Sequence, residues 1–165
     1  MTVAKQKEEK TNVMRILEQK GIPYTPHTYE HEEGVAVDGV TVARSLGQDP
    51  ECVFKTLVAR GTSKNIYVFV IPVADSLDLK KAARSVGEKS IEMVQVKEIN
   101  ALTGYVRGGC SPIGMKKDYA TTFHETAEII DTIMVSAGKI GWQVELAPQA
   151  LMALVGGQLA DITVE

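Results

Sequence analysis

Apolar residues recur at helical spacing from Val13 through Ile16 and Leu17, behind a good N-cap at Thr11 or Asn12 and ahead of Gly21, where a left-handed residue can end a helix. Pro23 and Pro26 then force an extended path, so residues 25–29 read as a strand, GVAVDG as a loop and VTVARSLG as a short helix closed by Gly47. VFKTLVAR and IYVFVIPV are β-branched and aromatic runs joined by GTSKN, a hairpin signal. LDLKKAARSVG predicts a helix capped by Ser76 or Asp78 and stopped by Gly87, SIEMVQ a strand, and KEINALTG a helix ending at Gly104. ATTFHE, TIMVSAG and WQVELA read as strands, the last two joined by a tight Gly-Lys-Ile-Gly turn; PQALMALVG reads as a helix and ADITVE as a final strand. Hairpin-linked strands mixed with helix-separated ones predict an α/β (α+β) chain with a mixed sheet, not a purely parallel doubly wound one.

At 165 residues, the length suits one compact domain over residues 11–165, with residues 1–10 as a loose N-terminal segment. Hydrophobic content of 44% and charged content of 24% describe an ordinary soluble chain, and no apolar run approaches the roughly 20 residues that span a bilayer. MTVAKQKEEK has neither an apolar core nor a small-residue cleavage site, so the expected location is cytoplasmic. Cys52 and Cys110 lie far apart and read as free thiols. A net charge of −3 and a pI near 5.7 argue against wrapping DNA or long RNA through a broad basic face, but leave room for a short nucleic-acid end.

Candidate chemistry concentrates in GYVRGGCSPIGMKK. Neither a phosphate-binding GxxxxGK[ST] loop nor a GxGxxG fingerprint is present, and Pro112 lacks the amide hydrogen a phosphate nest would use there. Gly108 and Gly109 let a ligand approach the backbone, which describes either a pocket wall or a plain tight turn. Cys110 is a conceivable nucleophile, but the chain has three histidines, His27, His31 and His124, none in a catalytic signature. His27 and His31 have the i,i+4 spacing of a zinc pair, yet on an extended segment they stand roughly 13 Å apart at about 3.3 Å per residue. Lys55 interrupts an apolar run; it is either an outward lysine that keeps a half-exposed strand soluble or a single cation aimed into a pocket, able to hold a phosphate, a carboxylate or a polarised carbonyl.

FKTLV (54–58), LDLKKAA (77–83), TGYVRGGCSPIGMKK (103–117) and VSAGKIG (135–141), in this order and spacing, resemble the YbaK/EbsC family of Cys-tRNA(Pro) deacylases, relatives of the editing domain of bacterial prolyl-tRNA synthetase. The resemblance runs from about Val13 to Ile162. It implies a mixed sheet curled into a barrel-like core with flanking helices, and hydrolysis in trans of mischarged aminoacyl-tRNA without metal or cofactor. The implied partners are the acceptor end of tRNA(Pro) and, transiently, prolyl-tRNA synthetase. The family's pocket lysine falls on Lys55, with Thr56 beside it and the pocket tyrosine on Tyr29. The glycine-rich wall falls on Gly108, Gly109, Ser111 and Pro112, and the SxGK turn on Ser136, Gly138 and Lys139. Two positions depart from the pattern: Asp38-Gly39 where many members have an aromatic residue before the glycine, and Cys110 where relatives often carry an aliphatic one, which favours packing over nucleophilic work. The resemblance implies attack on the ester by the substrate's own thiol. Removal of alanine by a bound water, and a non-catalytic nucleotide- or peptide-binding regulator of the EbsC type, remain as alternatives.

Overall fold

The computed structural model describes residues 10–165; the loose segment expected at 1–10 lies, apart from Lys10, outside the described residues. Helix α1 (Asn12–Gln19) starts where the Thr11 hydroxyl accepts from the Met14 amide at 3.3 Å, and it turns Val13, Met14 and Leu17 into the core. Strand β1 (Thr25–Thr28) and helix α2 (Gly39–Ser45) follow, the latter capped by Asp38. After a 3-10 turn at Pro50–Cys52, β2 (Phe54–Gly61) and β3 (Ile66–Pro72) form the expected antiparallel hairpin, with Lys55 opposite Ile71. Asp78, not Ser76, caps α3 (Leu79–Ser85). Then come β4 (Ile91–Met93), α4 (Val96–Thr103) ended by Gly104 at φ 86°, β5 (Ala120–His124), β6 (Ile133–Ser136), β7 (Trp142–Leu146), α5 (Pro148–Val155) and β8 (Gln158–Ala160).

These strands form two sheets. One runs β4-β2-β3-β5-β8, antiparallel on the β4-β2-β3 side and parallel where β3 meets β5 and β5 meets β8; the other is the antiparallel trio β1-β7-β6. The mixed α/β expectation holds, whereas the barrel-like core does not: no sheet closes on itself. The two sheets are linked by one isolated bridge, Val53 to Met134. Closure requires every edge strand to find a neighbour at a matched stagger. Here β1, β4 and β8 are edge strands of only three or four residues.

The final strand also shifts. Pairing with β5 begins at Gln158, whose side-chain amide donates to Thr122 Oγ1 at 2.9 Å and to the Ser85 carbonyl at 3.1 Å. ADITVE contributes only the last ladder residue, Ala160, and a lone bridge from Thr163 to Leu77. Beyond Ala160 the ladder yields to side chains, since the Ile162 amide donates to His124 Nδ1 at 3.3 Å and Lys81 pairs with Asp161 at 3.0 Å.

The main core joins α1 to both sheets, packing Leu17 with Phe54, Phe123, Val135 and Val144. Leu17 is fully buried, so Leu17→Ala should lower stability by about 2–5 kcal/mol, read as a fall in urea midpoint at unchanged m-value.

Candidate functional site

Where β2 begins, next to the bridge that links the sheets, the fold leaves a cavity of about 110 Å³. Its polar lining comes from Tyr29, Lys55, Thr56, Cys110, Ser136 and Gln143, with backbone at Gly39 and Gly108 and an apolar wall of Val37, Val42, Val53, Phe54 and Val73. Phe54, Lys55 and Thr56 are consecutive yet all border it, because the cavity caps the end of β2 and meets both faces of the strand.

Lys55 is half-buried and makes no hydrogen bond or ion pair with any described residue. Burial lowers its pKa from the usual lysine range, and the more distant Asp75 carboxylate pulls only partly the other way. Two further groups lack a protein partner: Thr56 Oγ1 and Gln143 Oε1, both out of contact with solvent. A buried polar atom left unpaired costs about 1–3 kcal/mol, and both belong to residues that border the same small space as the desolvated cation. The arrangement suits a small ligand that carries an oxygen able to take the lysine's proton or charge.

Tyr29, Lys55, Thr56, Gly108 and Ser136, five of the ten residues singled out from sequence, border the cavity. The other five do not, and they have different work. Gly109 packs its α-carbon against the Lys139–Ile140 backbone, where a Cβ would lie 3.1 Å from the Ile140 nitrogen. Ser111 is fully buried and its hydroxyl accepts from the Ile113 amide at 3.3 Å; Pro112 borders a separate surface pocket with Ile16 and Leu154. The Gly138 amide donates to Ser136 Oγ at 3.1 Å, which fixes that hydroxyl at the cavity, and Lys139 is exposed on the turn behind it. Gly108, at φ 86°, carries the actual wall: a Cβ there would come within 2.7 Å of Ala36 Cβ, so only glycine lets the two loops close.

Gln143 was not legible in the sequence, because the alternation of WQVELA reads it as the outward, polar side of a strand. The only available signal was His27, which pairs directly across from it and is itself held by Glu145 at 2.8 Å, so that face is covered rather than open. The unusual Asp38 turns out to cap α2, accepting from the Thr41 amide at 3.0 Å, and leaves the wall to Val37. Gly39 is required next to it, since a Cβ would meet Val73 Cγ1 at 2.4 Å.

Cys110 borders the cavity, but burial pushes its thiol up to about 11, so it is protonated at neutral pH. None of the three histidines is among the residues that border the cavity.

Comparison with known proteins fits this geometry to a family. Residues 34–154 match the model of the aminoacyl-tRNA editing domain. The chain belongs to the aminoacyl-tRNA editing domain family. Over 159 residues, covering 96% of both chains, it is 46% identical to a protein of Enterococcus faecalis (strain ATCC 700802 / V583) that bears the provisional name Cys-tRNA(Pro)/Cys-tRNA(Cys) deacylase EbsC. Two solved structures share the fold: one provisionally described as a trans-editing enzyme for prolyl tRNA synthetase, with TM-score 0.78 and 24% identity over 93% of this chain and 95% of that one. The other, described only as a hypothetical protein, has TM-score 0.81 and 20% identity over 92% of this chain and 99% of that one.

Two outcomes follow for an editing domain built this way. Lys55→Met removes a poorly solvated cation and should raise stability by about 0.5–2 kcal/mol. Between the lowered pKa of Lys55 and the usual lysine value of about 10.4, the unfolded chain binds the extra proton, so wild-type stability rises with pH across that window; urea midpoints of the methionine variant should lack this component. Cys110 should resist iodoacetamide at pH 7.5 in the folded protein and react on unfolding, as followed by mass spectrometry.

Proposed function

We propose that the protein is a trans-acting deacylase of mischarged aminoacyl-tRNA, with Cys-tRNA(Pro) as its substrate and the substrate's own thiol as the nucleophile. The observation that carries this reading is Lys55 itself: a desolvated, unpaired cation bordering a small space, with no activated nucleophile beside it. A cavity of about 110 Å³ is roughly four water volumes at ~30 Å³ each, enough for a small aminoacyl group and its ester carbonyl.

In the proposed step, the thiolate sulfur of the cysteinyl group attacks its own ester carbonyl. A carbon–sulfur bond forms, the carbonyl carbon–ribose oxygen bond breaks, and the ribose oxygen leaves as the 3′-terminal hydroxyl after taking a proton. The products are free tRNA and a strained four-membered thiolactone, which water then opens to cysteine. Lys55 stabilises negative charge as it develops on the carbonyl oxygen, where an ammonium in a water-poor site acts most strongly. The walls of the cavity hold the aminoacyl group beside Lys55, which orients the thiol. Orientation of this kind is worth roughly 7–11 kcal/mol in well-aligned cases, so the protein needs no base of its own.

On this reading tRNA(Pro) contacts the protein through its acceptor end, and the tRNA body is read by prolyl-tRNA synthetase in a transient cytoplasmic complex. The net charge of −3 supports so limited a contact. A water-dependent alanine deacylase would fit a cavity of the same size and is the competing outcome of the same experiment.

Single-turnover rates on Cys-, Ser- and Ala-tRNA(Pro) are the test. Cysteine should be released at least a hundredfold faster than serine or alanine, since a thiol with pKa near 8.5 is a few per cent thiolate at neutral pH while an alkyl hydroxyl is essentially un-ionised. Comparable rates on all three would give the attack to water. Lys55→Ala should abolish turnover with the circular dichroism spectrum unchanged; a variant as fast as wild type would remove Lys55 from the chemistry.

A further inference from the structure

A cavity of about 110 Å³ holds an aminoacyl group but not the nucleoside esterified to it. The nucleoside has to lie outside, next to the cavity, and one surface feature is placed for it. An open groove of about 480 Å³, within the usual range of roughly 300–1,000 Å³ for small-molecule sites, is lined by Thr28, Tyr29, Glu30, His31, Gly141 and Trp142. Tyr29 lines both spaces, so groove and cavity are neighbours that share one residue.

Three of the six lining residues carry aromatic rings, and the exposed one is held in place. The His31 ring lies against Gly141, where a Cβ would stand only 2.3 Å from His31 Cε1; Gly141 at φ 95° is therefore a seat for the imidazole. On its other flank His31 meets the Tyr29 ring edge-on, with centroids 6.0 Å apart at 60°, and its Nδ1 lies 3.4 Å from the Tyr29 carbonyl oxygen. The Tyr29 amide donates to the Gly141 carbonyl at 3.0 Å, tying the two groove walls together. The groove's acidic group is the Glu30 carboxylate, with Glu32 and Glu33 next along the chain. Carboxylates repel phosphate but accept from the exocyclic amine of a base.

We propose that this groove holds the adenine base of the tRNA's terminal adenosine, stacked on the ring of His31, with Glu30 accepting from the exocyclic amine. The inference rests on the deacylase reading for the identity of the ligand. It adds a nucleobase subsite outside the cavity and gives His31 a positioning role. The base is thereby the handle that brings the ester to Lys55.

Trp142 is the only tryptophan in the chain and lines the groove, so its fluorescence reports occupancy directly. The probe is an uncharged acceptor-stem RNA hairpin ending in CCA, compared with the same hairpin lacking the terminal adenosine. The complete hairpin should perturb Trp142 emission saturably and the truncated one should bind at least tenfold more weakly. His31→Ala should weaken binding of the complete hairpin about tenfold, the scale of one base–aromatic stack, and His31→Phe should restore it. In deacylation, His31→Ala should raise KM by a similar factor with kcat within about twofold, as expected for uniform binding. Equal affinity for the two hairpins, undetectable binding, wild-type affinity in His31→Ala, or failure of His31→Phe to rescue would each overturn the subsite. Because binding is read with uncharged RNA, a protein that shows the His31 dependence and yet hydrolyses no ester would overturn the deacylase reading and leave the groove assignment standing.

Discussion

Lys55 leaves β2 as a cation in surroundings that disfavour its charge: burial acts more strongly on it than the attraction of Asp75, and no described residue pairs with it. A sheet tolerates such a residue only if the rest of the strand supplies enough packing to hold it there. Phe54 and Val58 are buried along β2 itself, and the hairpin partner β3 adds Phe69, Val70 and Ile71, all fully buried. The unmet electrostatic demand is localised to one ammonium at the end of a rigid strand. A ligand oxygen that arrives there meets a donor already in position.

The glycine-rich loop serves that constraint through shape. Gly108 closes on Ala36 and Gly109 on the Lys139–Ile140 backbone, so the loop is clamped between the segment before α2 and the turn between β6 and β7. Tyr105, inside the same loop, donates its hydroxyl to the Ile113 carbonyl and bridges the loop's two arms. The Gly138 amide then aims Ser136 Oγ from the opposite turn. Three segments distant in sequence are thus fixed to one another mainly by backbone and near-backbone contacts, which is why small residues fill these positions.

The parts of this arrangement that stand out locally were legible in the sequence as candidates. A lysine in VFKTLVA and paired glycines before a cysteine stand out locally but fit an outward lysine and a plain turn as well as a pocket, and the structure puts Lys55 and Gly108 at the cavity. Residues that obey local rules were not legible. Gln143 looks like any outward residue of an alternating strand, and Val37, Val42 and Val73 look like ordinary core; only the tertiary meeting of two sheets makes them a wall. Gly109, Ser111 and Pro112 lie in the right loop, beside Gly108 and Cys110, yet do not border the cavity, a distinction that depends on which face of the loop packs inward. The barrel and the last strand failed for a related reason. Whether β1, β4 and β8 find neighbours, and whether His124 and Lys81 capture residues 161–163, are decided by long-range partners that periodicity does not encode.

On the proposed chemistry, the site leaves the nucleophile to the substrate, which suits the problem an editing domain faces. If the substrate is Cys-tRNA(Pro), as proposed, the product to be spared is Pro-tRNA(Pro), and a proline side chain differs from cysteine by little volume. One methylene in an apolar pocket is worth only about 1–3 kcal/mol, too little to protect the correct product if the protein carried an activated cysteine or serine. Cys110, with its thiol pushed up to about 11, stands in the cavity wall without being such a group. When the nucleophile has to come with the substrate, proline forfeits the whole advantage of intramolecular attack, about 7–11 kcal/mol, even if it enters the cavity. On the proposed chemistry, selectivity resides in what the substrate can do to itself. The protein's share is to hold the ester near Lys55 and exclude other attacking groups, which a small cavity walled by valines and glycine backbone is built to do.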